Sequence, residues 1–170
     1  MRVPGHRECL PLSEFRSGHQ LVAIVLNCLG AHKEAYKKAK VMHRDVSSGN
    51  IFIYPEVAYR AATGSYHVMR TGILADWELS KPANAKETPM RPRQPPRTGT
   101  WQLLSAAMLS SHGKAAKTQD EPEAHVHVLL YHAIRYLNSN CEDVAEFIES
   151  YFDAHTYSLL LERGSQAQPI

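Results

Sequence analysis

An acid and an amide stand five residues apart in the run from His43 to Ile53, as Asp45 and Asn50. A second acid, Asp76, closes the apolar run that begins at Gly72. In phosphoryl transfer, the protein mainly positions the nucleophile and neutralises the phosphate charge with metal ions. Asp45 is suited to accept the proton of a substrate hydroxyl. Asn50 and Asp76 offer the oxygen ligands that a hard cation such as Mg²⁺ prefers.

The alternative for any single acid of this kind is a structural one, because an isolated Asp on a loop is most often a turn or cap residue. The combination of these residues favours a catalytic role over a capping role. His43, Arg44, Asp45 and Asn50 keep a fixed spacing between a predicted helix and a predicted strand, with Asp76 downstream.

The helix that must position this loop precedes it. Ser17 and Gln20 form a predicted capping box. Apolar residues then recur at three- and four-residue spacing to Ala39, which predicts a long amphipathic helix. Its basic end, Lys37, Lys38 and Lys40, suits the negative pole of the helix dipole.

Three strands are predicted after the loop, and the last of them delivers Asp76 at its end. Ile51–Tyr54 is β-branched and aromatic, and Pro55 is expected to stop it. Tyr66–Arg70 predicts a second strand after a turn at Thr63 to Ser65, and Gly72–Trp77 predicts a third. Residues 81–97 are rich in proline and arginine and predict an extended, mobile loop.

The C-terminal part of the chain predicts helices. Trp101–Leu109 is expected to be helical towards its end, and Ser110–Gln119 to be a surface loop. Asp120 is expected to cap a helix whose apolar residues wrap most of its circumference, which predicts a buried central helix. A last helix is predicted from about Val144 to Phe152.

Composition bounds the protein class. The chain has 170 residues, 44% hydrophobic and 21% charged, which is typical of one globular domain or a large piece of one. A net charge of +2 and a pI near 8.4 give no reason to expect a nucleic acid or a membrane surface as partner. Three widely spaced cysteines and the absence of a long apolar run or secretory signal lead us to expect a soluble intracellular protein with reduced thiols.

Two other features have simpler explanations than function. His125, His127 and His132 resemble zinc ligands only superficially, because residues two apart on a helix point to different sides. The Arg/Pro segment could bind an acidic partner, but a solvated loop is the better interpretation.

The motifs resemble those of the fungal-type protein kinases, a divergent branch of the eukaryotic-like protein kinase superfamily. The run His43–Ile51 resembles the family's catalytic loop, and Gly72–Lys81 resembles its metal-binding segment. Arg97–Gln102 resembles the end of its activation segment, and Asp120–Tyr131 the start of a central helix. The similarity runs from about residue 12 to about residue 155.

This resemblance implies a mainly α fold with short β-strands, the C-terminal lobe of a protein kinase lacking the N-lobe. Residues 1–16 would be a lead-in segment, 17–155 the lobe and 156–170 a C-terminal tail. The lobe would hold the catalytic loop at 43–50, the metal-binding segment at 76–78, the activation segment at about 79–107 and the central helix at about 121–137.

The resemblance also assigns roles and cofactors. It makes Asp45 catalytic, supported by His43, Arg44 and Ser47, and it makes Asn50 and Asp76 ligands of Mg²⁺ on ATP. The remaining assigned residues are Arg97, Thr98, Gly99, Thr100 and Trp101 in the activation segment and Glu121 in a structural position.

The departures from the family pattern concern activity. Ser47 stands where kinases generally have a phosphate-contacting Lys, and Ala107 where they have an anchoring Glu. Glu78 replaces a glycine, and residues 55–71 form an inserted excursion. A Gly-rich loop, a strand Lys and its partner Glu do not fit before residue 17.

Three hypotheses follow. The first is transfer of phosphate from ATP to a protein Ser or Thr hydroxyl, with little turnover expected of this chain alone. The second is an inactive, pseudokinase-like module that binds a protein partner on the exposed lobe surface. The third is a truncated fragment of a longer kinase.

Overall fold

The computed structural model describes residues 8–83, 101–110 and 117–153 of the chain. Within them, helices and two small antiparallel sheets, one of three strands and one of two, make up the fold. Arg97, Thr98, Gly99 and Thr100 lie outside the described residues, as do most of the predicted 81–97 loop and the tail. The elements are β1 (Leu10–Pro11), α1 (Gly18–Ala39), β2 (Val41–Met42), β3 (Ile51–Arg60), β4 (Ser65–Leu74), β5 (Lys81–Pro82), α2 (Ala106–Leu109), α3 (Asp120–Tyr136) and α4 (Val144–Ile148).

Helix α1 begins and ends where the sequence predicted. Ser17 Oγ accepts from the N–H of Gln20 at 3.2 Å, and Gln20 Oε1 accepts in return from the N–H of Arg16 at 2.7 Å. The reciprocal cap is therefore confirmed, with the return bond one residue earlier than in the standard box. Lys40 ends the helix in the left-handed region at φ 57°. No helix among the described residues has the length and apolar character that crossing a membrane requires.

The prediction that Pro55 stops the strand is wrong. β3 continues through Pro55 to Arg60, and β4 is one strand from Ser65 to Leu74 rather than two. Asn50 O accepts from the N–H of Ala75 at 2.8 Å, so even-numbered residues of β3 turn their backbone groups towards β4. Pro55 is odd-numbered, so its backbone nitrogen points towards the other edge of β3. The N–H that proline lacks would therefore not have bonded to β4.

The strands of this hairpin are ten residues each, longer than the short strands that the sequence predicted. The excursion predicted at 55–71 is the outer half of the hairpin, because Pro55 pairs with Arg70 and Arg60 with Ser65. Its turn includes Gly64 at φ 61°, inside the predicted Thr63–Ser65 turn. A left-handed glycine at this point carries no steric penalty.

Leu10–Glu14, within the described part of the segment before α1, belong to the folded unit, whereas the sequence predicted only a lead-in there. Leu10 and Pro11 pair with Ile53 and Phe52 of β3. Leu12, in the 3-10 turn that follows, is 1% exposed in the main hydrophobic cluster. Burial of one apolar side chain contributes about 1.5–3 kcal/mol, which explains why this short stretch is held.

Helix α3 differs from the sequence prediction in two ways. Its N-cap is Gln119, and Asp120 is a buried first-turn residue that accepts from Ser105 Oγ and from the N–H of Lys117, both at 2.6 Å. The helix also presents one buried stripe rather than an apolar circumference, since Val126 is exposed. The buried stripe consists of Asp120, Glu121, Ala124, His125, Val128 and His132.

The remaining C-terminal predictions are confirmed where the structure describes them. Trp101–Leu103 forms a 3-10 turn and Ala106–Leu109 forms α2. α4 is followed directly by a π-helical turn over Glu149–Asp153, so the helical path from 144 extends through Phe152. Of the predicted 110–119 surface loop, residues 111–116 lie outside the described residues.

The core lies between α1, α3 and the base of the hairpin. Its cluster joins Leu21, Ile24 and Cys28 of α1 to Ile51 and Ile53 of β3 and to side chains of the C-terminal helices. Burial raises the pKa of the Cys28 thiol to about 12, so this side chain behaves as a neutral apolar group. The loop from His43 to Asn50 therefore lies between α1 and β3, two elements that share one core.

One glycine sets how closely α1 approaches β4. A Cβ built on Gly72 would lie 2.2 Å from the backbone oxygen of Ile24, and the Gly72 N–H donates to Asn27 Oδ1 at 3.1 Å. Backbone on both sides of this contact leaves no flexible side chain to move away.

We expect Gly72→Ala to destabilise the protein by about 1–3 kcal/mol, because helix and strand must separate to admit the methyl group. Gly30→Ala is the matched control, since a Cβ at Gly30 meets nothing within 4 Å. It should stabilise α1 by about 0.5–1 kcal/mol. Urea unfolding of both variants measures the difference, and a Gly72→Ala midpoint equal to that of wild type would contradict the tight contact.

Candidate functional site

The loop at 43–50 runs between β2 and β3, and β2 is a strand that the sequence did not predict. Val41 and Met42 pair with Pro82 and Lys81 of β5, within the segment predicted to be a loop. β2 leads into His43, and β5 follows the stretch that contains Asp76. The small sheet thus brings together two segments that are more than 30 residues apart in sequence.

His43 connects the loop to the residue before Asp76. Its Nε2 lies 2.8 Å from Ala75 O, and its Nδ1 lies 3.3 Å from the N–H of Asp45. A neutral ring with the proton on Nε2 satisfies both contacts, donating to the carbonyl and accepting from the amide. The ring is fully buried, and the edge-to-face contact with Trp77 has a centroid distance of 4.6 Å.

Ala75 is held by the loop at both of its backbone groups. Its N–H donates 2.8 Å to Asn50 O, and its carbonyl accepts from His43 Nε2. Trp77 Nε1 also donates to Leu74 O at 2.9 Å, which fixes the chain on the other side. These contacts position Asp76, which is exposed, at a set point beside the loop.

Asn50 orients Asp45. Its Nδ2 donates to Asp45 O at 2.8 Å and to Asp45 Oδ2 at 3.1 Å. With the amide nitrogen committed to Asp45, Oδ1 is the acceptor that Asn50 can offer to another group. The N–H of Asn50 donates to Ser47 O at 3.1 Å and closes the turn.

Two residues of the site have left-handed backbone conformations. Arg44 has φ 73° and Asp76 has φ 60°, and neither is a glycine. Such conformations cost of order 1–3 kcal/mol each and persist only where surrounding contacts enforce them. Both residues lie next to clamped neighbours, so the strain falls on the segments that carry the candidate acids.

Glu121 of α3 anchors the loop from below. Its Oε2 accepts from the N–H of His43 at 3.1 Å, and its Oε1 accepts from the N–H of Arg44 at 2.5 Å. Oε2 also forms an ion pair with His32 Nε2 of α1. One carboxylate, 4% exposed, therefore joins α1, α3 and the loop.

The environment of Glu121 favours its ionised form. Desolvation by burial acts to raise the pKa of the carboxyl, but the hydrogen bond and charge of His32 and the N–H groups of Arg44 and His43 outweigh it. The net result is a pKa below the ordinary value of 4.5. A buried anion with these donors gains charge-assisted hydrogen bonds that replace its lost hydration.

Two buried histidines of α3 favour their neutral forms. Burial is the largest cause that lowers the pKa of His125 and of His132 below the ordinary 6.5. Each Nδ1 lies close to a carbonyl four residues earlier, at 2.8 Å for His125 and 3.0 Å for His132. No group of three or more His, Cys, Asp and Glu side chains able to hold a metal ion occurs among the described residues.

The structure brings His43, Arg44, Asp45, Asn50 and Glu121 into one bonded group, with Asp76 beside it. Ser47 is 6% exposed, so its side chain lies in the interior rather than at the surface of the loop. Trp101 begins a 3-10 turn, and the preceding part of the predicted activation segment lies outside the described residues.

His32 is the contributor that sequence reasoning missed as a functional residue. It was assigned only to the apolar stripe of α1, four residues after Cys28. A titratable side chain on the buried face of a helix requires a polar partner, so the position of His32 could have predicted such a partner. Ala75 left no signal, since it acts through backbone groups alone.

We expect Glu121→Gln to destabilise the protein by about 3–5 kcal/mol. The NH₂ group of the glutamine would face the backbone N–H donors of the loop, and His32 would lose its counterion. Glu123→Gln is the control on the same helix turn, where Glu123 Oε1 accepts from the N–H of Ala106 at 2.7 Å in an exposed setting. That change should cost about 1 kcal/mol or less. Equal losses in urea unfolding would show that Glu121 has no special role.

Stability is expected to fall as the solution becomes acidic, in two windows. His125 and His132 have lowered pKa values, so their contribution is complete above pH 6.5 and is lost below it as the unfolded chain binds protons first. The contribution of Glu121 is complete above pH 4.5 and is lost as the pH falls through its lowered folded pKa. Unfolding midpoints from about pH 8 to about pH 3 measure both windows, and Glu121→Gln should remove the lower one. A midpoint that rises on acidification would contradict the assignment.

The sequence matches the fungal protein kinase family over residues 8–133, which is more than half of the chain. No curated protein and no solved structure matches it. The matched region includes β1 through most of α3, and so contains His43, Asp45, Asn50, Asp76 and Glu121. The chain belongs to the fungal protein kinase family.

Proposed function

We propose that this chain provides the catalytic-loop side of a phosphotransferase that moves a phosphoryl group from ATP to a hydroxyl of a protein, with Ser or Thr as acceptor. The observation that carries the proposal is the double clamp on Ala75 by Asn50 and His43. It ties the stretch ending in Asp76 to the loop that holds Asp45. In this proposal the chain forms a kinase-like C-terminal lobe, with Glu121 at its centre.

Asp45 would position the substrate hydroxyl and receive its proton. Asn50 Nδ2 holds Oδ2 of Asp45 at 3.1 Å, so the carboxylate has a fixed orientation, and Oδ1 is the oxygen assigned to the hydroxyl. The N–H of Asp45 is also held by His43 Nδ1. General-base assistance of this kind is typically worth about 10²–10⁴ in rate.

The donor set fits Mg²⁺ bound to nucleotide phosphates. Asn50 Oδ1 and the Asp76 carboxylate are oxygen ligands, which hard cations prefer, and Asp76 is exposed. Mg²⁺ usually takes one or two protein carboxylates and completes its shell with phosphate and water, so a site with few protein ligands is appropriate. When bound, the ion would neutralise phosphate charge.

A second candidate, a pseudokinase-like module that binds a protein partner without turnover, is favoured by one observation. Ser47 takes the place of a phosphate-contacting Lys, and its side chain is buried. The loop therefore supplies no positive charge at that position. The two candidates differ in whether phosphate is transferred.

We expect Asp76→Asn to weaken binding of Mg²⁺–ATP by at least about tenfold, or 1.4 kcal/mol, because it removes a ligand charge. Asn tolerates the left-handed conformation that Asp76 adopts, so the backbone should be kept. Glu78→Gln is the matched control, since it removes an exposed carboxylate two residues away. Titration calorimetry with and without Mg²⁺ measures the binding.

We expect Asp45→Asn to leave Mg²⁺–ATP binding within about twofold and to lower phosphoryl transfer by about 10²–10⁴. The measurement is transfer of labelled phosphate to a generic protein substrate, compared with wild type. Binding without any transfer in wild type would favour the pseudokinase-like module. Absence of Mg²⁺-dependent nucleotide binding in wild type would refute the proposed metal ligands.

A further inference from the structure

The core face of the hairpin continues outward beyond the part that α1 covers. Ile51, Ile53 and Leu74 occupy this face at the base and are buried. The paired residues Val57 and Val68, and Tyr59 and Tyr66, follow on the same face by two-residue periodicity. They are 48%, 59%, 58% and 76% exposed, respectively.

The backbone of β4 also presents an open edge at this outer part. The Gly72 N–H donates to Asn27 of α1 rather than to β3, and Leu74 O accepts from Trp77. The backbone N–H and C=O groups of the even-numbered residues of β4 therefore point away from β3. Tyr66, Val68 and Arg70 share that parity. In the part of the chain that the structure describes, β4 is the last strand of its sheet and no strand pairs with this edge, although Nη1 of Arg70 donates to Glu14 O at 2.9 Å.

The two edges of the hairpin are not equivalent. On the β3 edge, Pro55 supplies no N–H, and proline on an edge strand is a common way to discourage pairing. The β4 edge from Tyr66 to Arg70 contains no Pro, Lys, Asp or Glu. An exposed edge of β-branched and aromatic residues is a template for another strand.

We propose that the β4 edge from Tyr66 to Arg70 pairs with the same edge of a second copy of this chain, as an antiparallel ladder centred on Val68. A two-fold axis at Val68 sets each Tyr66 opposite Arg70 of the other copy. The Arg70 guanidinium, which keeps its Nη1 bond to Glu14 O of its own chain, then lies beside an aromatic ring and not beside a second guanidinium. The same register sets Gly72, where α1 closes the edge, opposite Gly64, which has no side chain.

A second copy fits this edge better than an arbitrary peptide because the strand is complementary to itself when Val68 lies on the axis. An axis at Arg70 would oppose two guanidinium groups, and an axis at Tyr66 would place the turn against the strand. The axis at Val68 forms about six backbone hydrogen bonds and aligns the two apolar faces on one side of a continuous sheet. Such an edge contact is smaller than a standard interface, so we expect a concentration-dependent dimer.

The test is the mass of the full chain by sedimentation equilibrium from about 1 to about 500 µM. Wild type should pass from monomer to dimer in this range. Val68→Pro should abolish the dimer, because it removes the outward N–H at the axis. Val57→Pro is the matched control: Val57 pairs with Val68 across the hairpin, but its backbone faces the β3 edge. Neither proline removes a hydrogen bond between β3 and β4.

A second pair of variants protects the test against misfolding. Val68→Lys keeps the backbone N–H but opposes two ammonium groups at the axis, and it should weaken the dimer at least about tenfold. Val57→Lys should leave it within about twofold. Circular dichroism melts verify that all four variants are folded.

Register is tested by cross-linking. Cα atoms of a hydrogen-bonded antiparallel pair are about 5.5 Å apart, within the range of a disulfide. Val68→Cys, in a Cys9→Ser and Cys141→Ser background, should therefore oxidise to a covalent dimer, and Val57→Cys should not. A wild-type chain that stays monomeric throughout the range would overturn the proposal. Equal weakening by the Val57 and Val68 variants would also overturn it, because association would then not depend on the β4 edge.

Discussion

A single buried carboxylate, that of Glu121, holds the candidate site in place. It accepts from the backbone of His43 and Arg44 and pairs with His32, so one anion fixes the relative positions of α1, α3 and the loop. A desolvated charge without partners would cost several kcal/mol. The three partners are therefore mutually required, and a change at any one of them alters the support of the loop. The left-handed conformation of Arg44 is stable because its N–H is bound to that carboxylate.

The candidate site is assembled largely through backbone groups. Ala75 has no polar side chain, yet its N–H and carbonyl join the loop to the segment that presents Asp76. Asn50 contributes to both halves, because its side chain orients Asp45 while its carbonyl accepts from Ala75. Membership of the fungal protein kinase family gives this geometry a biochemical context. Ser47 of the same loop is buried, so its side chain lies in the interior.

The hairpin has two parts with different surroundings. Its base supplies Ile51, Ile53 and Leu74 to the core and lies close to α1 at Gly72. Its outer half extends beyond the helix and keeps the same alternation of apolar residues without a cover. The hydrogen bonds at the base set which backbone N–H and C=O groups point towards the partner strand. The same alternation continues outward, so it also sets which backbone groups each outer edge presents. The base thus belongs to the core beside the candidate site, and the outer half carries the edge that we propose for association.

The sequence by itself determined the features whose causes are local. The capping residues and apolar periodicity of α1, the start of α3 and the spacing of His43, Asp45 and Asn50 all act within one or two helical turns or one loop. The family resemblance drew on the same local spacing. It also marked Glu121 as structural, because an acid at that position of the helix is part of the pattern.

Only the tertiary structure decided which distant groups meet. Asp120 looked like a cap but bonds Ser105 and Lys117, and Pro55 looked like a strand end but lies within β3. In both cases the local propensity was correct, but a partner or a strand edge elsewhere in the fold outweighed it. The role of His32 likewise depends on a carboxylate 89 positions away, which no local pattern encodes. The partners of a buried charge or of a strand edge come from distant parts of the chain, so they are identified only in the folded structure.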